Sequence, residues 1–191
     1  ILDIRMNDGN INEFHVRGGF GLLSSRILLE GPIKKNKGSF MIAGRRTYID
    51  QIFKRIGSLL PYYFYDFNAK LNYKINDKNH LYVSSYLGKD LLTFDQGDFE
   101  EDALFNFGFT LGNVTSTIRW NQIINDRLFA NYSLIYTSFD YNINSQFDNK
   151  NALYISSAIN DIGAKADWEF HKNQNHTIKY GFCLLYTSDA A

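Results

Sequence analysis

Two stretches of this chain alternate their side chains so strictly that the backbone is left little choice. Across residues 66–75, Phe67, Ala69, Leu71, Tyr73 and Ile75 interleave with Asp66, Asn68, Lys70, Asn72 and Lys74. Across residues 162–171, Ile162, Ala164, Ala166, Trp168 and Phe170 interleave with Gly163, Lys165, Asp167, Glu169 and His171. Strand side chains alternate with period two, so each stretch is a strand with one oily and one wet face. Repeated along nearly the whole chain, the pattern predicts an all-β fold. Its one-sided apolar stripe is the signature of an antiparallel transmembrane β-barrel wall.

Composition narrows the reading further. The hydrophobic fraction of 45% would by itself permit an ordinary soluble core. The aromatic fraction is more telling: 13 Tyr and 16 Phe stand against only 2 Pro, a mixture that favours strands and amphipathic interfaces. The 20 basic and 20 acidic residues cancel, which leaves no basic excess to draw the chain to nucleic acid. No apolar run approaches the roughly 18 to 20 residues of a membrane-spanning helix. The chain opens at Ile1 without a Met or a signal-peptide pattern, so its start is expected not to be a natural one.

At the other end, residues 183–191 (CLLYTSDAA) resemble translated sequencing-adapter sequence and are set outside the fold as a non-native tail. The single cysteine, Cys183, falls within that tail. A lone thiol forms no internal disulfide, and an inert cysteine is the simpler reading than a nucleophile.

Clusters of Asn, Asp, Lys and Gly at residues 34–38, 76–79, 125–127 and 172–175 mark tight turns. Between them lie longer connections at about residues 49–62, 92–101 and 145–151. Short and long links therefore alternate, as they do between the periplasmic and extracellular ends of outer-membrane barrels. About nine strands are expected: 13–20, 26–33, 38–50, 62–76, 79–92, 102–121, 128–144, 151–172 and 176–185. Several exceed the roughly 9 to 11 residues needed to cross a bilayer, and the excess is expected to project toward the long links. Within residues 103–121 the apolar parity changes, from Phe105, Phe107, Phe109 and Leu111 to Val114, Ile118 and Trp120. A bulge near Gly112 and Asn113 is expected to produce the change. Tyr73, Trp120, Trp168 and Phe170 all fall close to tight turns, where an interfacial aromatic girdle belongs.

Several segments, taken in order, resemble a known family. Residues 2–10 (LDIRMNDGN), 18–26 (GGFGLLSSR), 29–33 (LEGPI) and 38–50 (GSFMIAGRRTYID) resemble the plug-to-barrel junction and first barrel strands of TonB-dependent outer-membrane receptors. Residues 63–74 (YFYDFNAKLNYK) and 113–121 (NVTSTIRWN) look like later strands of that family. The resemblance implies that residues 1–12 are the end of a plug domain and its junction, and that 13–182 begin the barrel. It also implies a barrel of 22 strands around a plugged lumen, so about nine strands make a fragment. The implied function is active import of a scarce external ligand, a siderophore, vitamin or oligosaccharide. The implied partners are outer-membrane lipid, the protein's own plug and a TonB-type energy-coupling complex.

Candidate sites are sparse. Arg45 and Arg46 carry guanidinium forks suited to phosphate or carboxylate, but neighbours in a strand face opposite sides, so plug or loop contacts and an interfacial position are the simpler reading. Asp95, Asp98, Glu100, Glu101 and Asp102, with Gly97 among them, offer oxygens to calcium yet lack EF-hand spacing, which favours a solvated loop. His15, His80, His171 and His176 form no zinc-like pair. Gly18, Gly19 and Gly21 lack the strand-to-helix setting of a nucleotide-binding loop and read as a tight strand or bend. Lys70, Lys74, Lys165, Asp167 and Glu169 are expected to line a hydrated interior. Nothing assembles a catalytic set, a metal site or a cofactor site, and no ligand-binding residue can be chosen. The alternatives to a transporter are a non-transporting barrel used as an anchor or adhesion platform, and a soluble β-sandwich binding module whose apolar stripe a second layer would bury.

Overall fold

The computed structural model describes residues 6–55, 61–94, 105–147, 151–173 and 175–190. Nine strands form a single antiparallel sheet in chain order: β1 (His15–Phe20), β2 (Ser24–Lys34), β3 (Gly38–Thr47), β4 (Tyr62–Asn76), β5 (Asn79–Phe94), β6 (Phe105–Asn125), β7 (Leu128–Phe147), β8 (Asn151–Asn173) and β9 (His176–Ala190). β1 and β9 are free edges, and the sheet does not close. One short helix, α1 (Ile49–Arg55), interrupts the link between β3 and β4, which alternation alone reads as irregular chain.

The tight turns are built alike. Asn76, Asn125 and Asn173 each accept, through their side-chain oxygen, a hydrogen bond from the backbone N–H two residues on, at 3.0, 3.0 and 3.1 Å. These Asx turns close the β4–β5, β6–β7 and β8–β9 hairpins. In the β2–β3 hairpin Asn36 takes a left-handed φ of 60°, which asparagine tolerates better than most residues. Register shifts occur beside these turns, between Pro32 and Lys34, Lys74 and Asn76, Ile123 and Asn125, and His171 and Asn173.

The bulge expected near Gly112 and Asn113 is absent. β6 pairs with β5 without interruption from Phe107 to Gln122, and with β7 from Phe105 to Ile123. The parity change is therefore a change in which face of one regular strand is apolar. The third long link is also shorter than expected, because β7 continues to Phe147 and β8 begins at Asn151. β9 carries the ladder through residues set aside as a tail, pairing Ala158 with Ala190.

Almost nothing is buried. Among the described residues only Met41, Ala130 and Ala166 are buried apolar side chains. The chain exposes 13575 Å², whereas a compact monomer of its mass, 22.1 kDa, exposes about 9,300 Å². The described residues lie in one layer, so the second layer a soluble sandwich requires is missing among them.

Candidate functional site

Residues directly paired across strands share a face, so the registers sort every strand. In the half of the sheet nearest the tight turns, one face carries an apolar belt, interrupted by Ser85 and Ser116, whose hydroxyls hydrogen-bond to each other at 2.9 Å. Leu71, Val83, Ile118, Leu134, Ala164 and Leu184 form one row of it, each paired with the next. Ile118, Leu134 and Leu184 are exposed, at 46%, 58% and 68%, more than a folded chain leaves to water without cause.

Closer to the turns the belt is edged with rings. Trp120 lies 5.4 Å from Tyr132, Tyr132 lies 5.9 Å edge-on to Trp168, and Trp168 stacks on Tyr180 at 5.5 Å. The Trp120 indole donates to the Asn79 side chain at 3.0 Å, which anchors an amphipathic ring at the edge of the oily zone. Tyr73, Trp120, Trp168 and Phe170 were singled out in sequence as rings close to tight turns; the registers put all four on the belt's face, and Tyr132 and Tyr180 join them only through the register. Small side chains at Ala164 and Ala166, among Trp120, Leu134 and Phe182, leave a groove of about 420 Å³ in the belt.

The opposite face of the same half is ionic. Arg45 pairs with Asp66 at 2.6 Å, Arg17 with Glu30 at 3.5 Å, Lys165 with Asp167 at 3.0 Å and Lys179 with Glu169 at 3.0 Å. Ala166 and Trp168 stand on the belt while Asp167 and Glu169 stand here, as alternation requires. At the turn, Lys74 pairs with Asp77 at 2.6 Å, and its hydrogen bond and charge hold the Asp77 carboxyl below the usual carboxylate range.

One stretch of the ionic face is covered. Residues 6–10 lie across it, held by Lys70, whose ammonium donates to the Met6 carbonyl at 2.6 Å and pairs with Asp8 at 2.7 Å. Gly9 runs against the Phe40 carbonyl so closely that a Cβ would collide with backbone. Beside this strap lie the buried polar side chains Ser39 and Asn72, joined by a 2.7 Å hydrogen bond. Asn10 then turns the chain toward β1, its side chain accepting from the N–H groups of Asn12 and Glu13 at 2.8 and 3.0 Å. Lys70 was legible as a cation of the ionic face; its contact with the strap, made across more than sixty residues of sequence, was not.

The remaining candidates stay apart. Arg45 and Arg46 project to opposite faces, Arg45 toward Asp66 and Arg46 over the Tyr63 ring. His15 approaches Glu13 and Glu30, His80 stacks on Tyr82 at 4.3 Å, and His171 meets Thr177 and Glu169. Among the described residues no His, Cys, Asp and Glu group is arranged to hold a metal ion. Gly18 and Gly19 lie within β1, and Gly21 donates to Ser24 in the bend that follows. Cys183 is an exposed strand residue. The acidic stretch Asp95, Asp98, Glu100, Glu101 and Asp102, with Gly97, lies outside the described residues.

Compared with models of protein families, with curated proteins and with solved structures, the chain finds no match.

Proposed function

We propose that this chain is the plug-to-barrel junction and the first wall strands of a TonB-dependent outer-membrane receptor, an active importer of a scarce external ligand such as a siderophore, vitamin or oligosaccharide. One observation carries the reading beyond sequence resemblance. A single-layer antiparallel meander has an aromatic-edged apolar belt on one face, while an N-terminal strap is tied by Lys70 to the ionic face behind it. A membrane wall needs the belt, and a plugged lumen needs the strap. Water would penalise the belt, and a plug-less anchor would have no use for a strap seated inside.

On this reading the belt meets outer-membrane lipid, residues 6–10 are the last of the plug, and the tight turns face the periplasm. Ligand is captured at the opposite end, and the energy-coupling complex acts through plug segments outside this chain. A plugged barrel cannot conduct passively, so import needs a driven rearrangement. The test is uptake of labelled ligand by cells carrying the complete gene. Deleting the coupling complex should abolish uptake while leaving binding at the cell surface intact. Uptake that continues unchanged without the complex would make a passive pore the better account.

A further inference from the structure

The rim of the apolar belt carries two cations. Arg46 of β3 and Lys89 of β5 both stand opposite Tyr65 of β4, so Arg46, Tyr65 and Lys89 form one row on the belt's side of the sheet. The next row toward the tight turns is Gly44, Phe67, Leu87 and Val114, the last full apolar row of these strands. Adjacent strands lie about 4.8 Å apart, which puts the two cationic residues roughly 10 Å from each other, within reach of a common anion for side chains of this length. Arg46 is exposed, with its guanidinium 5.4 Å from the centre of the Tyr63 ring.

Among the described residues neither Arg46 nor Lys89 has a carboxylate within ion-pair distance, whereas Arg45, on the other face, is bound by Asp66. The acid in the same row is Asp140, whose carboxylate leans over Gly112, the residue paired with Lys89. One acid beside two cations leaves the row net positive.

We propose that Arg46 and Lys89 bind the phosphate of a membrane lipid headgroup, an inference that rests on the membrane reading above. The strand from Leu81 to Lys89 runs roughly 27 Å, or about 20 Å along the membrane normal at a ~40° tilt, close to the height of a barrel's apolar band. The row therefore falls at headgroup level. Long cationic stems can lie along Phe67 and Leu87 while their heads reach polar groups, and the guanidinium fork matches phosphate oxygens. Tyr63 and Tyr65 supply amphipathic rings at the same depth.

The test uses the complete protein, refolded and reconstituted into phosphatidylcholine vesicles containing bis-phosphorylated lipid A, with retained lipid measured by native mass spectrometry. R46Q/K89Q should weaken lipid A retention roughly 20- to 30-fold, about fivefold for each cation. Dephosphorylated lipid A should bind both forms equally weakly, and millimolar inorganic phosphate should not displace the lipid. Equal retention by the wild type and by an inserted R46Q/K89Q variant overturns the headgroup site and leaves the membrane reading standing. Displacement by inorganic phosphate overturns it in favour of a free-anion site. Carbonate extraction of the wild-type protein reads the premise separately: release from the vesicles removes the membrane reading itself.

Discussion

The two halves of this sheet are made from the same strands in the same register, yet they are opposite in polarity. Near the tight turns, Ile118, Leu134 and Ala164 make one face apolar while Lys165, Asp167 and Arg119 make the other ionic. Farther along, Lys89, Asp140, Asn142 and Asn160 stand on the first face, whereas Leu111, Tyr141, Ile143 and Ile155 stand on the second. No bulge separates the halves in β5, β6 or β7. On the proposed membrane reading, the inversion reflects surroundings: a strand that left lipid for water would exchange an oily outer face for a polar one, and its other face would become the place to keep apolar side chains.

Arginine scanning on the belt side should break this comparison most forcefully. Leu134→Arg places a charge within the belt and should cost about 2 to 4 kcal/mol of folding stability in bilayers, and Ala166→Arg, in the ring-edged row beside Tyr132, somewhat less. Asp167→Arg, one residue away on the ionic face, should cost much less. Asn142→Arg, on the belt's side but in the far half, should cost no more than about 1 kcal/mol. Refolding titrations into vesicles measure all four. Equal penalties at Ala166 and Asp167 would remove the assignment of faces, and a large penalty at Asn142 would remove the inversion.

How much of this was legible beforehand follows from the physics of each signal. Alternation at residues 66–75 and 162–171 reports local side-chain direction, and the Asn-led turns report local backbone shape, so strand number and the tight turns were readable. A parity change is ambiguous, because a shifted backbone and a changed environment leave the same trace in sequence; the bulge at Gly112 was the wrong choice between them. The end of β7 at Phe147 escaped, three residues past the expected 144, because Asn and Ser read equally well as loop or as the wet side of a strand, whereas the start of β8 at Asn151 fell where it was expected. Helix α1, at seven residues, is too short for periodicity to announce. The Lys70 contacts to Met6 and Asp8 depend on how distant segments stack, which no local pattern encodes.

The strap separates the halves in a second way, since it covers the ionic face only near the tight turns. Lys70→Ala removes a largely buried ammonium from the Met6 carbonyl and from Asp8, its side chain being 17% exposed against 53% for Asp8. Loosening the strap should cost about 1 to 2 kcal/mol, mostly through the unsatisfied carbonyl and lost packing. Asp8→Asn should cost less, because solvent already screens that carboxylate. Hydrogen exchange at residues 6–10 reads both. Unchanged protection in Lys70→Ala would show that the strap is held by other contacts, with Gly9 against β3 the first to examine by Gly9→Ala.

The smallest expected effect lies at the border of the halves, where Tyr62 donates a 2.7 Å hydrogen bond to Asp90. That bond, then burial, then the carboxylate's negative charge keep the phenol protonated and push its pKa up to about 12, from 10.0. Because the folded value is the higher one, the proton is bound more tightly in the folded state. The resulting stability is fully present below pH 10 and is lost as pH rises through about 12. Full linkage over two units would be about 2.7 kcal/mol, but Tyr62 is partly open to solvent and screening reduces this to about 1 kcal/mol or less. Tyr62→Phe should therefore flatten stability across that alkaline window. The phenolate difference spectrum between wild type and variant should titrate well above the ordinary tyrosine range, and Asp90→Asn should bring it back down. A Tyr62 signal titrating near 10 in the folded protein would mean that water reaches this pair freely, and the apolar second face of the far half would then have to begin beyond Leu92.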